Sequence, residues 1–204
     1  MSPWLALLVS YLLGSFPSAY LAGRVWRGVD LRTVGSGNLG ATNVYRELGA
    51  WPALIVLVVD TAKGFAPVHW LPPVAQVPSR GWWAVAFGAA AIAGHARPVM
   101  FLGRGGGKGV ATAAGVFAAL SPFALLCAVA VFTGLVALTK IVSIGSIAAA
   151  LCLPVFIAVL GDAHPPVLTV SVLLACFIVW THRANIARLR RGEEPRVTRP
   201  RSSV

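Results

Sequence analysis

Charged residues are scarce in this sequence, and acidic residues are the scarcest. Asp, Glu, Lys and Arg together make up 11% of the 204 residues, whereas an average globular protein has about 25%. Hydrophobic residues make up 57%, and the mean hydropathy is +0.79. These values exclude a soluble cytosolic domain and a disordered chain. They indicate an all-α polytopic membrane protein, because a helix satisfies its own backbone hydrogen bonds in lipid.

Cysteine is also rare, which excludes a disulfide scaffold. Cys127, Cys152 and Cys176 lie in apolar runs without the spacing of a metal or redox motif. The carboxylates are too few and too scattered to form a metal centre, and we expect no cofactor. Lys and Arg outnumber Asp and Glu by 17 to 6. In a membrane protein this excess is interpreted from its position relative to the bilayer, and we do not expect nucleic acid as a partner.

Apolar segments of membrane-spanning character recur along the whole chain. They cover residues 4–23, 51–71, 81–94, 109–139, 144–160 and 167–181. We expect the long fourth segment to break at Ser121-Pro122, because proline removes a backbone donor and disfavours helix before it. The sequence therefore predicts seven transmembrane helices, some of them short, tilted or re-entrant.

The positions of the cations predict the orientation of these helices. Seven spans with the N-terminus outside place the basic segments 24–50, 96–108 and 183–201 in the cytoplasm, and leave Arg80 on the outer side. We expect one seven-helix transmembrane domain over residues 1–194. A basic cytoplasmic tail, disordered, is expected over residues 195–204.

The first cytoplasmic segment, residues 35–43, combines three glycines with short hydrogen-bonding side chains. These are Ser36, Asn38, Thr42 and Asn43. The segment contains G-x-G-x-x-G, but Asp60 lies in the middle of an apolar span and no βαβ unit is expected, so dinucleotide binding is excluded. Glycine lets backbone N–H groups approach an anion closely. The pattern indicates a phosphate site at the membrane surface; the alternative is a plain glycine-rich connecting loop.

The second segment covers residues 94–109, and its latter part, residues 102–109, resembles a Walker A loop but departs from it twice. Leu102 stands at the first glycine position, and Gly109 stands where Ser or Thr follows the lysine. A glycine-rich backbone that ends in Lys108 at a helix start still favours a phosphate, through oriented amides and one point charge. The alternative is a basic loop that only sets the membrane orientation.

The third segment begins at Thr181, at the end of the last span. His182 and Asn185 are three residues apart and share one helical face, and Arg188 lies on the next turn. The alternative is a basic amphipathic end that binds anionic headgroups. Within the second span, Asp60 and Lys63 are charged at membrane depth, so we expect them to pair or to face a polar interior.

The three segments, in this order and on one membrane face, resemble the motifs of the bacterial acyl-phosphate:glycerol-3-phosphate acyltransferase family, PlsY. The resemblance covers nearly the whole chain. The first motif corresponds to Ser36–Asn43 with Arg46, the second to Gly94-His95, Pro98, Phe101 and Gly106–Thr112, and the third to His182, Asn185-Ile186, Arg188-Leu189, Gly192 and Glu194. One departure is visible: the family usually has a basic residue where this chain has Gly105, with Arg104 one position earlier.

The resemblance implies an enzyme of the bacterial cytoplasmic (inner) membrane whose active site faces the cytoplasm. It would transfer a fatty acyl group from acyl phosphate to glycerol 3-phosphate, giving lysophosphatidic acid and phosphate. The catalytic residues would be Ser36, Lys108, His182 and Asn185. Substrate and phosphate binding would fall to Gly37, Asn38, Thr42, Asn43, Arg46, His95, Gly106, Gly107, Arg188 and Glu194. The expected partners are the two substrates and membrane lipids, with no obligate protein partner.

The sequence leaves the general base open. Many acyltransferases that act on glycerol phosphate use a His followed five residues later by Asp, and no histidine here has that neighbour. The base is then His182 or a phosphate oxygen of a substrate, and we favour the phosphate oxygen. Two other classes of function fit the sequence less well. An anion transporter or channel fits poorly because the polar motifs gather at one face, and a lipid phosphatase requires a nucleophilic His backed by a carboxylate.

Overall fold

The computed structural model describes residues 1–160 and 164–197. Their regular secondary structure is helical, which confirms the predicted all-α class. The helices are α1 (Pro3–Gly14), α2 (Ser18–Arg27), α3 (Ala41–Leu48), α4 (Ala50–Ala75), α5 (Trp82–Ala96), α6 (Val110–Leu120), α7 (Pro122–Thr139), α8 (Val142–Val159), α9 (Pro165–Thr181) and α10 (Arg183–Arg190), with a short 3₁₀ turn at Val99–Phe101. Most of the predicted tail, from residue 198 onward, lies outside the described residues.

Several of these helices are long and apolar enough to cross a membrane. Five spans meet this description in the described residues, and a sixth is added if α9 and α10, bent by 56°, count as one. The α1–α2 segment counts as one of the five, whereas α6 is a shorter apolar helix. The chain is therefore a polytopic integral membrane protein.

The break predicted at Ser121-Pro122 is present. Helix α6 ends at Leu120, and α7 begins at Pro122, which occupies the first turn of its helix. Proline is tolerated at that position because the first N–H groups of a helix have no intrahelical partner. The charge-free run of residues 109–139 is thus two helices.

A second break, between α1 and α2, was not predicted. Ser15 ends α1 by donating its N–H to the Tyr11 carbonyl at 2.9 Å, and Pro17 precedes α2. Since Pro17 has no N–H, the helical hydrogen-bond ladder is interrupted there. At this break, the carbonyl of Phe16 accepts hydrogen bonds from the Ser18 N–H at 3.0 Å and from Lys63 Nζ at 3.1 Å.

The chain divides into two compact units, the first over Met1–Ala119 and the second over described residues 120–197. In the first unit, α1 packs on α4 and α5, and α4 also contacts α2 and α3. Glycines allow close helix approach, as expected in membranes: a Cβ on Gly94 of α5 would overlap the Tyr11 carbonyl, and one on Gly64 of α4 would overlap the Thr112 backbone of α6. In the second unit, α8 packs between α7 and α9.

An apolar cluster lies beneath the loop between α2 and α3. Leu31, Leu39 and Val44 are at most 5% exposed and pack with Val56 of α4. This cluster anchors both ends of the first polar segment, so the segment leaves and rejoins the helices at defined points.

Candidate functional site

Asn43 organises the first polar segment from within. Its side chain is buried, and its Oδ1 accepts a hydrogen bond from the Ser36 backbone N–H at 2.9 Å. Its Nδ2 donates to the carbonyls of Leu31 at 3.3 Å and Val34 at 3.2 Å. One amide thus holds three points of the α2–α3 loop. Asn43, predicted as a phosphate ligand, has its amide turned toward the loop backbone.

Ser36 lies exposed between two glycines with left-handed backbone conformations. Gly35 has φ +59° and Gly37 has φ +67°. A Cβ on Gly35 would overlap Asn43 Oδ1, so the turn that presents Ser36 requires glycine there. Asn38 is half-buried in the same loop.

Helix α3 begins directly after this loop. Gly40 is its N-cap, and no side chain caps the helix. Thr42 lies in the first turn and Arg46 four residues later, so both project from one face of α3. The N-terminal end of a helix carries a partial positive charge. The helix start and Arg46 supply positive charge beside this loop, and the Glu47 carboxylate lies next to Gly35.

The second polar segment reaches the first at Gly107. The Gly107 N–H donates to the His95 carbonyl at 3.2 Å. A Cβ at this position would overlap His95 Nε2 and would lie 2.7 Å from the Leu39 carbonyl. Gly107 therefore lies between the His95 ring and the first polar segment, and only glycine fits there. Lys108 follows, half-buried, two residues before α6 begins.

The neighbouring glycines shape this loop. Gly105 has φ +69° and Gly109 has φ +84°, conformations that glycine adopts with little cost. A Cβ on Gly106 would overlap the Ala96 carbonyl at the end of α5. Arg104, whose role the sequence left open, is exposed in this loop.

Arg32 contacts residues at both polar segments, Asp30 before the first and Phe101 and Gly105 at the second. Its guanidinium donates hydrogen bonds to the Asp30 carboxylate, from Nε to Oδ1 at 3.0 Å and from Nη2 to Oδ2 at 2.6 Å. The hydrogen bond from Arg32 holds the pKa of Asp30 at about 2, well below its usual value. The guanidinium carbon also lies 4.5 Å from the Phe101 ring centroid and 5.2 Å from that of Tyr20. Sequence reasoning missed this cluster, whose only local signal is the Asp-x-Arg spacing.

A buried polar network lies behind the His95 ring. Asp60 is 1% exposed, and its Oδ1 accepts a hydrogen bond from Ser18 Oγ at 2.6 Å. The same oxygen lies 2.8 Å from Lys63 Nζ and 3.7 Å from His95 Nδ1. The expectation that Asp60 and Lys63 pair at membrane depth is confirmed. Sequence reasoning did not connect either residue with His95 or with Ser18.

The second unit holds the third polar segment around Glu194. The Glu194 carboxylate accepts hydrogen bonds from Ser143 Oγ at 2.8 Å, Asn185 Nδ2 at 2.5 Å and Arg188 Nε at 2.8 Å. Burial alone raises the pKa of Glu194, but these three donors outweigh it and leave the pKa below its usual value. Glu194 thus fixes the side chains of Asn185 and Arg188. Ser143, 51 residues away in sequence, was missed by sequence reasoning.

His182 lies at the bend between α9 and α10. Its ring is 3% exposed, and Nδ1 lies 2.8 Å from the Ile178 carbonyl. Because a carbonyl oxygen only accepts, Nδ1 carries the proton in this contact. In the neutral ring, Nε2 then retains a lone pair. Asn185, 6% exposed, lies one helical turn further on.

The predicted site residues are therefore found in both units, each with a local scaffold. The first unit holds Ser36, Gly37, Asn38, Thr42, Asn43, Arg46, His95, Gly106, Gly107 and Lys108; the second holds His182, Asn185, Arg188 and Glu194. In the first unit, the close approach at Gly107 joins two segments that are more than fifty residues apart in the sequence. In the second, the Glu194 carboxylate gathers the third segment.

Comparison with known proteins gives consistent matches over almost the whole chain. The family model described as "Glycerol-3-phosphate acyltransferase" matches residues 4–192. A protein of that name from Prochlorococcus marinus is 42% identical over 95% of this chain and 96% of its own length. One from Synechococcus elongatus is 45% identical, covering 93% and 92% of the two chains.

Two crystal structures of PlsY, an integral membrane glycerol 3-phosphate acyltransferase, are also similar to this chain. The glycerol 3-phosphate form aligns with a TM-score of 0.89 at 38% identity and covers 96% of each chain. The lysophosphatidic acid form aligns with a TM-score of 0.87 at 37% identity and covers 96% of this chain and 95% of the other.

Proposed function

The chain belongs to the glycerol-3-phosphate acyltransferase family, and we propose that it takes the acyl group from acyl phosphate. Glycerol 3-phosphate is the acceptor, and the acylated product, lysophosphatidic acid, is a precursor of membrane phospholipids. With acyl phosphate as donor, inorganic phosphate is the second product. Both substrates then bring a phosphate group to the protein.

The reaction requires little covalent catalysis by the protein. The acceptor hydroxyl oxygen attacks the acyl carbonyl carbon, the bond from that carbon to the phosphate oxygen breaks, and phosphate leaves with the electron pair. The hydroxyl proton passes to a base. Because phosphate is a good leaving group, placing the two substrates and stabilising the developing negative charge supply most of the acceleration.

The glycine loop that meets the first polar segment at Gly107 is the observation that carries the donor proposal. Glycines in such a loop let backbone N–H groups approach an anion closely, and Lys108 adds a point charge. The first polar segment adds the side chains of Ser36 and Thr42, and Arg46 follows in α3. These two segments offer donors for two phosphates, as a reaction between acyl phosphate and glycerol 3-phosphate requires.

The third polar segment carries the other residues that the family resemblance assigns to catalysis and binding. Glu194 holds Asn185 and Arg188, so both side chains are oriented before substrate arrives. His182 either accepts the hydroxyl proton through Nε2 or orients a substrate whose phosphate oxygen accepts it. We favour the phosphate oxygen, because a phosphate with a second pKa of about 6 is close to the ideal for a base at neutral pH.

The donor assay uses the purified full-length protein in lipid vesicles with acyl phosphate and glycerol 3-phosphate. Phosphate release and lysophosphatidic acid formation are expected to match mole for mole. Acyl-CoA at the same concentration serves as the control donor and is expected to give no product. Equal rates with acyl-CoA would overturn the acyl phosphate proposal while leaving the acceptor in place.

We further propose seven spans in one domain, with the N-terminus outside and the polar segments in the cytoplasm of a bacterial inner membrane. The short helix α6 would be the seventh span, and the cation distribution supports the orientation. Cysteines introduced at Thr33 and at Ser79, in a background without Cys127, Cys152 and Cys176, test it. An impermeant thiol reagent is expected to label Ser79→Cys from outside intact cells and Thr33→Cys only after lysis. Labelling of Thr33→Cys in intact cells would overturn the orientation.

A further inference from the structure

The two ring nitrogens of His95 face different parts of the molecule. Nδ1 lies 3.7 Å from Asp60 Oδ1, inside the membrane-spanning region. Nε2 lies against Gly107, where any side chain would overlap it. The ring is only 6% exposed. His95 therefore connects a buried carboxylate to the loop that we propose binds phosphate.

We propose that Asp60 is a positioning residue that acts through His95. In this arrangement Asp60 directs the Nδ1–H of His95 toward itself, so that Nε2 is presented to the glycine loop and its bound phosphate. The inference rests on the proposed function of that loop. It gives a role to a buried charged residue that lies outside the three polar segments.

The placement of Asp60 argues for such a role. A charged side chain at membrane depth is energetically costly, and such residues mark functional sites. Asp60 is held from two sides, by Ser18 Oγ at 2.6 Å and by Lys63 Nζ at 2.8 Å. Lys63 is itself anchored to the Phe16 carbonyl at the break between α1 and α2. A carboxylate held by Ser18 of α2 and by Lys63 of its own helix can hold a ring in one orientation.

The chemistry of imidazole explains what this orientation supplies. When Nδ1 bears the proton of the neutral ring, Nε2 has the lone pair and accepts a hydrogen bond from a hydroxyl or a protonated phosphate. When the ring is protonated, Nε2–H donates to the phosphate, and Asp60 stabilises the cation. While the ring is neutral, Lys63 balances the carboxylate, and the network carries no net charge.

The 3.7 Å separation is an ion-pair distance and exceeds a hydrogen bond. Closing it to hydrogen-bond length requires a ring movement of about 0.7 Å. Catalytic hydrogen bonds are often long before substrate binds and tighten in the complex. We expect occupation of the loop to press the ring toward Asp60.

The tautomer of His95 in the wild-type protein is the first test. Nitrogen-15 NMR of protein labelled at its four histidines separates protonated from unprotonated ring nitrogens, and His95→Gln identifies the His95 signals. At a pH where the ring is neutral, Nδ1 is expected to carry the proton, more completely when glycerol 3-phosphate is added. A neutral ring protonated at Nε2 in both states would overturn the proposal.

A double-mutant cycle between Asp60→Asn and His95→Gln is the second test. Asp60→Asn alone is expected to lower kcat/KM by about tenfold to a hundredfold, as loss of the partner of a functional histidine does elsewhere. In the His95→Gln background the same change is expected to cost less than about threefold, because its effect runs through the missing ring. An equal loss of kcat/KM in both backgrounds would mean that Asp60 contributes only to folding and does not act through His95.

Ser18→Ala gives a milder change if Asp60→Asn fails to fold. It removes one hydrogen bond to Asp60 and is expected to shift the His95 nitrogen signals. Ser10→Ala is the matched control, since the buried Ser10 hydroxyl bonds only within α1, to the Ala6 carbonyl at 2.7 Å. Equal His95 signals in the two variants would count against the proposal. Failure of the proposed function would show separately, as a wild-type protein that makes no lysophosphatidic acid from acyl phosphate.

Discussion

Asn43 Oδ1 accepts the backbone N–H of Ser36 at 2.9 Å, so a buried amide in α3 fixes the residue presented at the centre of the first polar segment. The same amide satisfies two further carbonyls through Nδ2. The Ser36 hydroxyl plays no part in this contact. Asn43 therefore supports the loop, whereas Ser36 presents its hydroxyl, and the two residues can be changed independently.

Asn43→Ala is expected to destabilise the protein, and Ser36→Ala is not. Loss of the Asn43 amide leaves the Ser36 N–H and the carbonyls of Leu31 and Val34 without this partner, which costs about 1–3 kcal/mol for each group that stays buried. Ser36→Ala keeps its backbone N–H and is expected to change stability by less than about 0.5 kcal/mol, while lowering kcat/KM. Thermal unfolding in detergent and initial rates measure the two effects. Equal unfolding temperatures for both variants would remove the supporting role of Asn43.

Gly107→Ala is expected to abolish measurable activity. The added Cβ would overlap His95 Nε2 and crowd the Leu39 carbonyl, so the loop and the ring cannot both keep their places. Gly134→Ala in α7 is the matched control, because a Cβ there meets nothing within 4 Å and alanine is the better helix former. Rates of the two variants, each with a gel-filtration profile as a check of folding, make the comparison. A Gly107→Ala variant with normal kcat/KM would contradict the close approach of the two segments.

The helix breaks show what the sequence can and cannot predict about this fold. The break at Pro122 was predicted because residues 109–139 are too many for one span, whereas the break near Pro17 was not, because residues 4–23 have the length of a single span. Prolines 67, 72 and 73 lie inside α4, which continues to Ala75. In a membrane, neighbouring groups satisfy the backbone that a proline frees. Whether proline ends a helix there depends on tertiary contacts that the local sequence does not record.

The candidate site also has a part that the sequence predicts and a part that it does not. The residues of the three segments were predicted from residue types and from family resemblance, which are local patterns. The supporting contacts were not, because they join distant positions: Ser143 with Glu194, Ser18 with Asp60, and Asp60 with His95. Each distant pair forms only when helices pack, and a single sequence contains no signal for that pairing.

Glu194 is expected to make stability depend on pH in the acidic range. Its pKa is lower in the folded protein than in the unfolded chain, so its contribution is complete above the ordinary glutamate pKa. That contribution is lost as the pH falls through the lowered folded value. Glu194→Gln is expected to reduce stability at neutral pH by about 1–3 kcal/mol and to flatten this acidic loss.

The neighbouring Glu193 provides the control for Glu194. It pairs with Arg191 at the surface, with 58% of its side chain exposed, and exposed pairs contribute about 0–1 kcal/mol. Unfolding temperatures of the wild type, Glu193→Gln and Glu194→Gln across the acidic range make the measurement. If Glu193→Gln lost as much stability as Glu194→Gln, the three hydrogen bonds to Glu194 would stabilise the protein no more than an exposed ion pair does.

Lys108→Ala is expected to lower kcat/KM by about tenfold to a hundredfold. Loss of a hydrogen bond to a charged group costs about 1.5–3 kcal/mol, and each 1.4 kcal/mol is a tenfold change in rate. Asn185→Ala, which removes a neutral donor, is expected to cost less. Arg104→Ala tests the exposed cation of the same loop and is expected to change kcat/KM by less than about threefold. A larger loss of kcat/KM in Arg104→Ala than in Lys108→Ala would indicate that Arg104, and not Lys108, contacts the phosphate.

His182 decides between the two candidates for the base. The Nδ1 contact with the Ile178 carbonyl at 2.8 Å leaves Nε2 as the acceptor in the neutral ring, so the geometry permits a histidine base. If His182 takes the hydroxyl proton, His182→Gln would be nearly inactive and the acidic limb of the rate–pH profile would vanish with the ring. If a substrate phosphate takes it, the variant keeps measurable activity, and the limb stays near the second phosphate pKa of about 6. We expect the second result, measured as kcat/KM against pH with acyl phosphate in excess. An acidic limb that disappears in His182→Gln would establish His182 as the titrating group and overturn the substrate-assisted mechanism.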